Sequence, residues 1–165
     1  MFWPEGLPPL GVPLSPTALF VLLGHAAATA YMTGLIWFVH VVHYPLFSGV
    51  GVEGYAAYQA DHMRLTGYVV GPPMVAEMLG ALWLAFELPT GLPKWMPVAG
   101  AAMVLGIWAS TALLSVPAHN GLLQGFDADV HRSLCRTNLV RTVLWTLRCV
   151  LVGGMIWHLV PKLPG

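Results

Sequence analysis

Long apolar stretches alternate along the chain with shorter segments that hold most of the charged side chains. The apolar stretches cover approximately residues 17–42, 67–88, 95–116 and 138–160. About 20 consecutive apolar residues are enough for a helix to cross the hydrocarbon core of a bilayer. The pattern therefore predicts an all-α fold, an integral membrane bundle of four transmembrane helices. The spans and their connections use nearly all of residues 1–165, which leaves room for a single transmembrane domain.

The connections between these spans differ in length. Residues 43–66 and 117–137 are predicted to be long loops of more than 20 residues each, and residues 89–94 are predicted to be a short turn. An even number of spans returns the chain to its starting side. We therefore expect the two long loops on one face of the membrane, and the short turn on the other face with both termini.

Local signals predict further structure outside the spans. The proline-rich residues 1–16 are expected to form an extended arm at the membrane interface, because so many prolines prevent a regular helix. Residues 54–62 are predicted to form a short amphipathic helix at the interface. Asp127 or Asp129 is predicted to cap the fourth helix. Residues 72–73, both proline, are expected to kink the second helix.

The composition indicates which partners the chain can have. Its side chains are 57% hydrophobic and 8% charged, against roughly 25% charged in soluble domains. The lipid bilayer is therefore the expected solvent and partner. The net charge is zero and no run of lysines occurs, so the positive patch that holds nucleic acid is missing. A lipophilic small molecule is the expected substrate, and a homo-oligomer is left open.

The few charges also predict an orientation. Four arginines lie on or near the face of the long loops: Arg64, Arg132, Arg136 and Arg141. Two lysines, Lys94 and Lys162, lie near the other face. Cytoplasmic loops carry an excess of lysine and arginine. The face of the long loops is therefore predicted to be cytoplasmic.

Histidines are concentrated on the same face. Five of the seven are expected there, and they are His40, His43, His62, His119 and His131. The spacing of three between His40 and His43 predicts that both lie on one side of a helix. Imidazoles from several segments suit zinc, iron or copper. We therefore predict a transition-metal centre of one or two ions with these five histidines as ligands. His25 and His158 are interpreted as ordinary interfacial side chains.

A carboxylate and two arginines are predicted inside the spans. Glu77 lies in an apolar stretch, where an ionisable residue is costly and marks a functional site by default. The alternative is a structural ion pair with Arg141 or Arg148. The fourth helix carries a polar stripe on one face, formed by His131, Asn138, Arg141, Trp145 and Arg148. We predict that the stripe points inward, and that Glu77, Asn138 and Arg141 are catalytic.

These features together predict a membrane-embedded metalloenzyme. A redox-active metal beside an apolar pocket indicates an oxidoreductase or oxygenase that acts on a lipophilic substrate, with Tyr68 and Arg141 orienting a polar head group. A zinc ion in the same place would instead activate water for hydrolysis.

Two stretches resemble a known family. Residues 116–123, Val-Pro-Ala-His-Asn-Gly-Leu-Leu, and residues 138–145, Asn-Leu-Val-Arg-Thr-Val-Leu-Trp, resemble the C-terminal half of small four-span membrane proteins related to anthrone oxygenases. The resemblance implies a four-helix bundle and oxidation of an apolar or aromatic substrate. It also implies that Asn138 and Arg141 lie in the site. The histidines of the first half are not part of the resemblance.

Two other functions remain open from the sequence. A b-type cytochrome would bind haem b through His25 and His158 or through His40 and His131. Haem requires only two histidine ligands, however, and five histidines are expected on one face. A transporter of a metal ion or proton would use the histidines and Glu77 as relay groups. The second span offers such a transporter almost no polar side chains beyond Glu77.

Overall fold

The structure is a computed structural model that describes residues 14–159, and this part of the chain contains four long helices and no strand. The helices are α1 (Pro16–Gly49), α2 (Val52–Glu87), α3 (Trp95–Leu122) and α4 (Ala128–Leu159). All four are long and apolar enough to cross a membrane, which confirms the predicted all-α transmembrane bundle. Most of the predicted arm, residues 1–13, lies outside the described residues, as does Lys162. The orientation of the two faces stays a prediction.

The four helices pack in a ring in chain order. Each helix contacts the next one in the chain, and α1 also contacts α4. At one end, Leu14, Leu92 and Leu159 join one apolar cluster, so the short turn and both ends of the described chain lie together. We call this the turn end. At the other end, Phe47 and Leu122 belong to a second apolar cluster. We call this the histidine end.

The two predicted long loops, 43–66 and 117–137, are mostly helical, so that prediction is wrong. Only residues 50–51 separate α1 from α2, and only residues 123–127 separate α3 from α4. Histidine, aspartate and arginine end an apolar run without ending a helix, because the backbone hydrogen bonds continue on either side of the membrane boundary. The charged segments are therefore the ends of the helices themselves.

Helix α2 includes both the predicted amphipathic helix and the predicted proline kink site. The predicted amphipathic helix, residues 54–62, is the beginning of α2 and is continuous with the transmembrane part. The α-helix also continues through Pro72 and Pro73. Farther along α2, Gly80 allows α1 to come close, since a Cβ atom there would lie 3.0 Å from the Cβ of His25.

Helices α1 and α3 each contain a wide π-helical turn near the histidine end. The turns comprise Val39–His43 and Thr111–Ser115, and a proline follows each of them, Pro45 and Pro117. A proline lacks an N–H group and clashes with the carbonyl four residues earlier. The extra residue of a π turn accommodates this clash and rotates the residues that follow. Both turns therefore change which side chains point into the bundle.

The N-termini of α1 and α4 are capped by side chains. The Ser15 hydroxyl accepts the Ala18 N–H at 3.1 Å at the start of α1. The Asp127 Oδ1 accepts the N–H groups of Asp129 and Val130 at 2.8 and 2.9 Å. This confirms the predicted cap of the fourth helix, with Asp127 rather than Asp129 in that role.

Candidate functional site

A cavity of about 190 Å³ lies inside the histidine half of the bundle. Residues 62–74 of α2 and 111–119 of α3 line its sides, and α1 and α4 form its back. Two lining residues, Gly67 and Val116, are exposed, so the mouth of the cavity lies between α2 and α3 on the outer surface of the bundle. Most of the wall is apolar, and its polar members are Tyr44, His62, Thr66, Thr111, Ser115, His119 and Arg141.

The Tyr44 hydroxyl is the centre of the polar end of this cavity. Gln59 Nε2 donates to the Nδ1 atom and to the carbonyl oxygen of His119, at 3.0 and 3.2 Å. Nδ1 of His119 is therefore an acceptor, and the proton of this ring lies on Nε2. That Nε2 donates to the Tyr44 oxygen at 2.9 Å, and Arg141 Nη2 donates to the same oxygen at 3.2 Å. The hydroxyl hydrogen of Tyr44 is left for a partner in the cavity.

The two π turns explain why Tyr44 and His119 meet. Tyr44 follows the turn of α1 directly, and His119 lies four residues after the turn of α3. Both side chains are buried, and their rings are 5.4 Å apart. π turns occur frequently at functional sites, because they redirect side chains without ending the helix.

Three of the five predicted histidine ligands come together. His43 Nε2 lies 2.9 Å from His62 Nδ1, and the Thr66 hydroxyl lies 3.1 Å from the same Nδ1 atom. The rings of His62 and His119 are 5.1 Å apart. His62 and His119 are buried, and His43 is half-buried. The three imidazoles therefore form a row in which His119 contacts Tyr44 and His43, at the other end, is partly exposed.

His40 and His131 lie apart from this row. His40 Nδ1 lies 3.5 Å from Asn138 Nδ2, and His131 Nε2 donates to the Tyr44 carbonyl oxygen at 2.8 Å. His40 and His43 were predicted to share one side of a helix, but both lie in the π turn, where the wider spacing directs them to different neighbours.

The predicted five-histidine ligand set therefore does not assemble. Within residues 14–159, no three histidine, cysteine, aspartate or glutamate side chains are placed to hold one metal ion. For the haem alternative, His25 is buried and hydrogen-bonded to the Glu77 carbonyl oxygen, and His158 is exposed. The transition metal and haem b stay predictions from the sequence.

The polar stripe of α4 points inward, as predicted. Asn138, Arg141, Trp145 and Arg148 are buried, and His131 is half-buried. Arg141 lines the cavity and also donates to the Asn138 Oδ1 atom. Asn138 does not line the cavity. Of these two predicted catalytic residues, Arg141 reaches the cavity, and Asn138 holds Arg141 in position.

Glu77, the third predicted catalytic residue, lies outside the cavity. Its carboxylate accepts hydrogen bonds from the Thr29 hydroxyl at 2.9 Å and from Trp145 Nε1 at 2.8 Å. It also forms an ion pair with Arg148 Nε at 3.0 Å, in which both side chains are 1% exposed. Arg148 donates in addition to the Gly100 carbonyl oxygen. This geometry corresponds to the structural alternative, with Arg148 rather than Arg141 as the partner.

Sequence reasoning missed Tyr44, Gln59 and Ser115. Tyr44 carried one signal, its position between a His-x-x-His pair and a proline, but no signal marked Gln59 or Ser115. Tyr68, which was predicted to orient a substrate, is 71% exposed and does not line the cavity.

No known protein family, curated protein or solved structure matches the chain.

Proposed function

We propose that the protein is a membrane-embedded enzyme that takes a lipophilic substrate from the bilayer and exchanges a proton with it at Tyr44. One arrangement supports this proposal above all. At the polar end of an otherwise apolar cavity, the Tyr44 oxygen accepts N–H groups from both His119 and Arg141.

The two donors suit Tyr44 to acid and base catalysis. Hydrogen bonds aimed at a developing negative charge stabilise it most in a site that excludes water. His119 and Arg141 both point at the oxygen that becomes negative when Tyr44 gives up its proton. Tyr44 can then donate its proton to a substrate oxygen, or take one back, without breaking either contact.

The histidine row can carry this proton from Tyr44 to the partly exposed ring of His43. His62 lines the cavity, and His43 contacts His62 and is half-buried at the histidine end. A neutral imidazole carries a proton on one ring nitrogen and accepts one on the other, so neighbouring imidazoles can pass a proton along. In this proposal the row restores the protonation state of Tyr44 between turnovers.

We assign the reaction to the oxidation of an apolar or aromatic substrate, which the resemblance to anthrone oxygenases implies. The two stretches that carry this resemblance also contain His119 and Arg141, the two donors to Tyr44. In such a reaction, ionised Tyr44 removes a proton from a CH2 carbon of the substrate, and the resulting carbanion adds to dioxygen. Tyr44 returns the proton to give a hydroperoxide. Removal of the second proton from the same carbon and cleavage of the O–O bond then give a ketone and one water molecule.

Filling the cavity tests the proposal. Gly67 lines the cavity, and a Cβ atom there meets no other atom within 4 Å. We expect Gly67→Leu to occupy substrate space and to lower turnover at least tenfold. Stability should be retained or improved, because glycine inside a helix costs about 0.5–1 kcal/mol relative to alanine. Dioxygen uptake and product mass are measured with anthrone and lipophilic hydroquinones, using protein in lipid nanodiscs.

The matched control is Gly71→Leu. Gly71 is also in α2 and is equally open around its Cβ position, but it does not line the cavity. The control should keep the turnover of the wild-type protein. Equal turnover by the two variants would show that the substrate is converted elsewhere, and no turnover by the wild-type protein would remove the assignment to this reaction.

A further inference from the structure

Arg141 is a buried cation that pairs with no carboxylate of the described residues. In the described part of the chain, three arginines form ion pairs: Arg64 with Asp61, Arg132 with Asp129, and Arg148 with Glu77. Arg141 is 7% exposed and belongs to no such pair. An unpaired charge is costly in an apolar interior, and inside a membrane bundle it normally faces a partner or a polar path.

The hydrogen-bond partners of Arg141 leave part of its guanidinium free. Its Nη2 atom donates to the neutral groups Tyr44 Oη and Asn138 Oδ1, and its buried Nε atom has no partner among the described residues. Across the same cavity, Ser115 is 1% exposed, and its buried Oγ atom also lacks a partner there. Arg141 and Ser115 both line the cavity, and both have hydrogen-bonding capacity that the described residues do not use.

We propose that the ligand of this cavity carries one negatively charged oxygen group, such as a carboxylate, on an apolar body, and that Arg141 is its counter-ion. The inference rests on the proposed function, since it names the substrate class of the same cavity. An oxyanion would accept from the guanidinium of Arg141, and the hydroxyl of Tyr44 would stay available for proton exchange. The planar guanidinium of arginine matches the geometry of a carboxylate. Hydrogen bonds between two such charged groups are stronger than those between neutral groups.

The charge of the cavity excludes other head groups. Among residues 14–159, no aspartate or glutamate lines it, so a cationic head group would meet Arg141 without compensation. The one arginine among these lining residues balances one negative charge rather than the two of a phosphate monoester. The volume of about 190 Å³ holds a head group and an aromatic ring or a short chain. Any longer part of the ligand would pass through the mouth between α2 and α3 into the lipid.

Calorimetric titration with three naphthalene probes tests this inference. The protein is placed in nanodiscs of phosphatidylcholine and titrated with 2-naphthoate, methyl 2-naphthoate and 2-naphthylmethylammonium, and empty nanodiscs correct for partitioning into lipid. We expect 2-naphthoate to bind the wild-type protein at least tenfold more tightly than the ester, a difference of about 1.4 kcal/mol. The ammonium probe should bind no more tightly than the ester.

Substitutions then identify the counter-ion. Arg141→Gln should reduce the affinity for 2-naphthoate to that of the ester, and Arg141→Lys should keep part of the preference. The exposed Arg136 of the same helix provides the control Arg136→Gln, which should leave the preference unchanged. Equal binding of acid and ester by the wild-type protein would overturn the inference, even if Arg141→Gln did not fold. So would a preference that persists in Arg141→Gln.

The results also separate this inference from the proposed function. If the protein binds 2-naphthoate through Arg141 but turns over no substrate, the anion site is supported and the proposed enzymatic function is contradicted. If Gly67→Leu lowers turnover but the protein does not prefer the acid over the ester, the enzymatic function is supported and the anion site is contradicted.

Discussion

Glu77→Ala is expected to destabilise the folded bundle by about 3–5 kcal/mol, the usual cost of removing one partner from a buried ion pair. The substitution leaves Arg148 buried without its carboxylate, and it removes the acceptor of the Thr29 hydroxyl and the Trp145 indole N–H. The midpoint of unfolding in a titration with sodium dodecyl sulfate, followed by circular dichroism, measures the loss.

Two further variants show whether this effect is specific. Glu87→Ala removes an exposed carboxylate near the end of the same helix and should change the midpoint little. Glu77→Gln keeps the size of the side chain and one oxygen acceptor, so it should fall between the other two. A Glu77→Ala protein with wild-type stability and no turnover would instead support a catalytic role for Glu77.

Tyr44→Phe is expected to lower turnover by about 10²–10⁴-fold, the range that a positioned acid or base contributes. Phenylalanine keeps the ring that packs 5.4 Å from both Phe47 and His119. It removes only the oxygen that accepts from His119 and Arg141. Leaving these donors unpaired costs about 1–3 kcal/mol of stability, so circular dichroism must show that the variant is folded before rates are compared.

The control for Tyr44→Phe is Tyr68→Phe. Tyr68 is 71% exposed and lies outside the cavity, so its hydroxyl should not affect the rate. Turnover within threefold of the wild-type rate in Tyr44→Phe would contradict the assigned proton transfer, because no other hydroxyl lies between His119 and Arg141 in the described residues.

Much of the bundle was predictable from the sequence because the bilayer imposes one strong requirement. Apolar runs of about 20 residues must be helices, since no other segment satisfies its own backbone hydrogen bonds in lipid. The same requirement turns a polar stripe such as Asn138, Arg141 and Arg148 towards the interior, where the structure places it. The Asp127 cap was also readable, because its side chain acts on its immediate neighbours.

The lengths of the helices were not predictable from hydropathy. Hydropathy marks where the chain leaves the lipid, but it does not mark where the helix ends. The charged residues of 43–66 and 117–137 end the apolar runs while the helices continue. Helix ends outside a membrane depend on capping and packing, and the sequence predicted only one cap, at Asp127 or Asp129.

The detailed geometry of the site depends on the π turns and on depth in the bundle, and the periodicity of polar residues along the sequence reveals neither. The π turns rotate His40 and His43 apart and bring Tyr44 to His119, and a regular helical spacing predicts neither result. The choice between Arg141 and Arg148 as the partner of Glu77 depends on depth in the bundle. The two arginines are seven residues apart, which is about 10 Å along a helix, so one carboxylate cannot pair closely with both.

The most direct test of the cavity as the substrate site is a crystal structure of the protein grown with 6-bromo-2-naphthoate, with anomalous scattering to locate the bromine. We expect one bromine peak inside the cavity, near its mouth between Gly67 and Val116, with the carboxylate against Arg141. A peak elsewhere on the bundle, such as the apolar groove beside His25 and Trp83, with the cavity empty, would contradict the account.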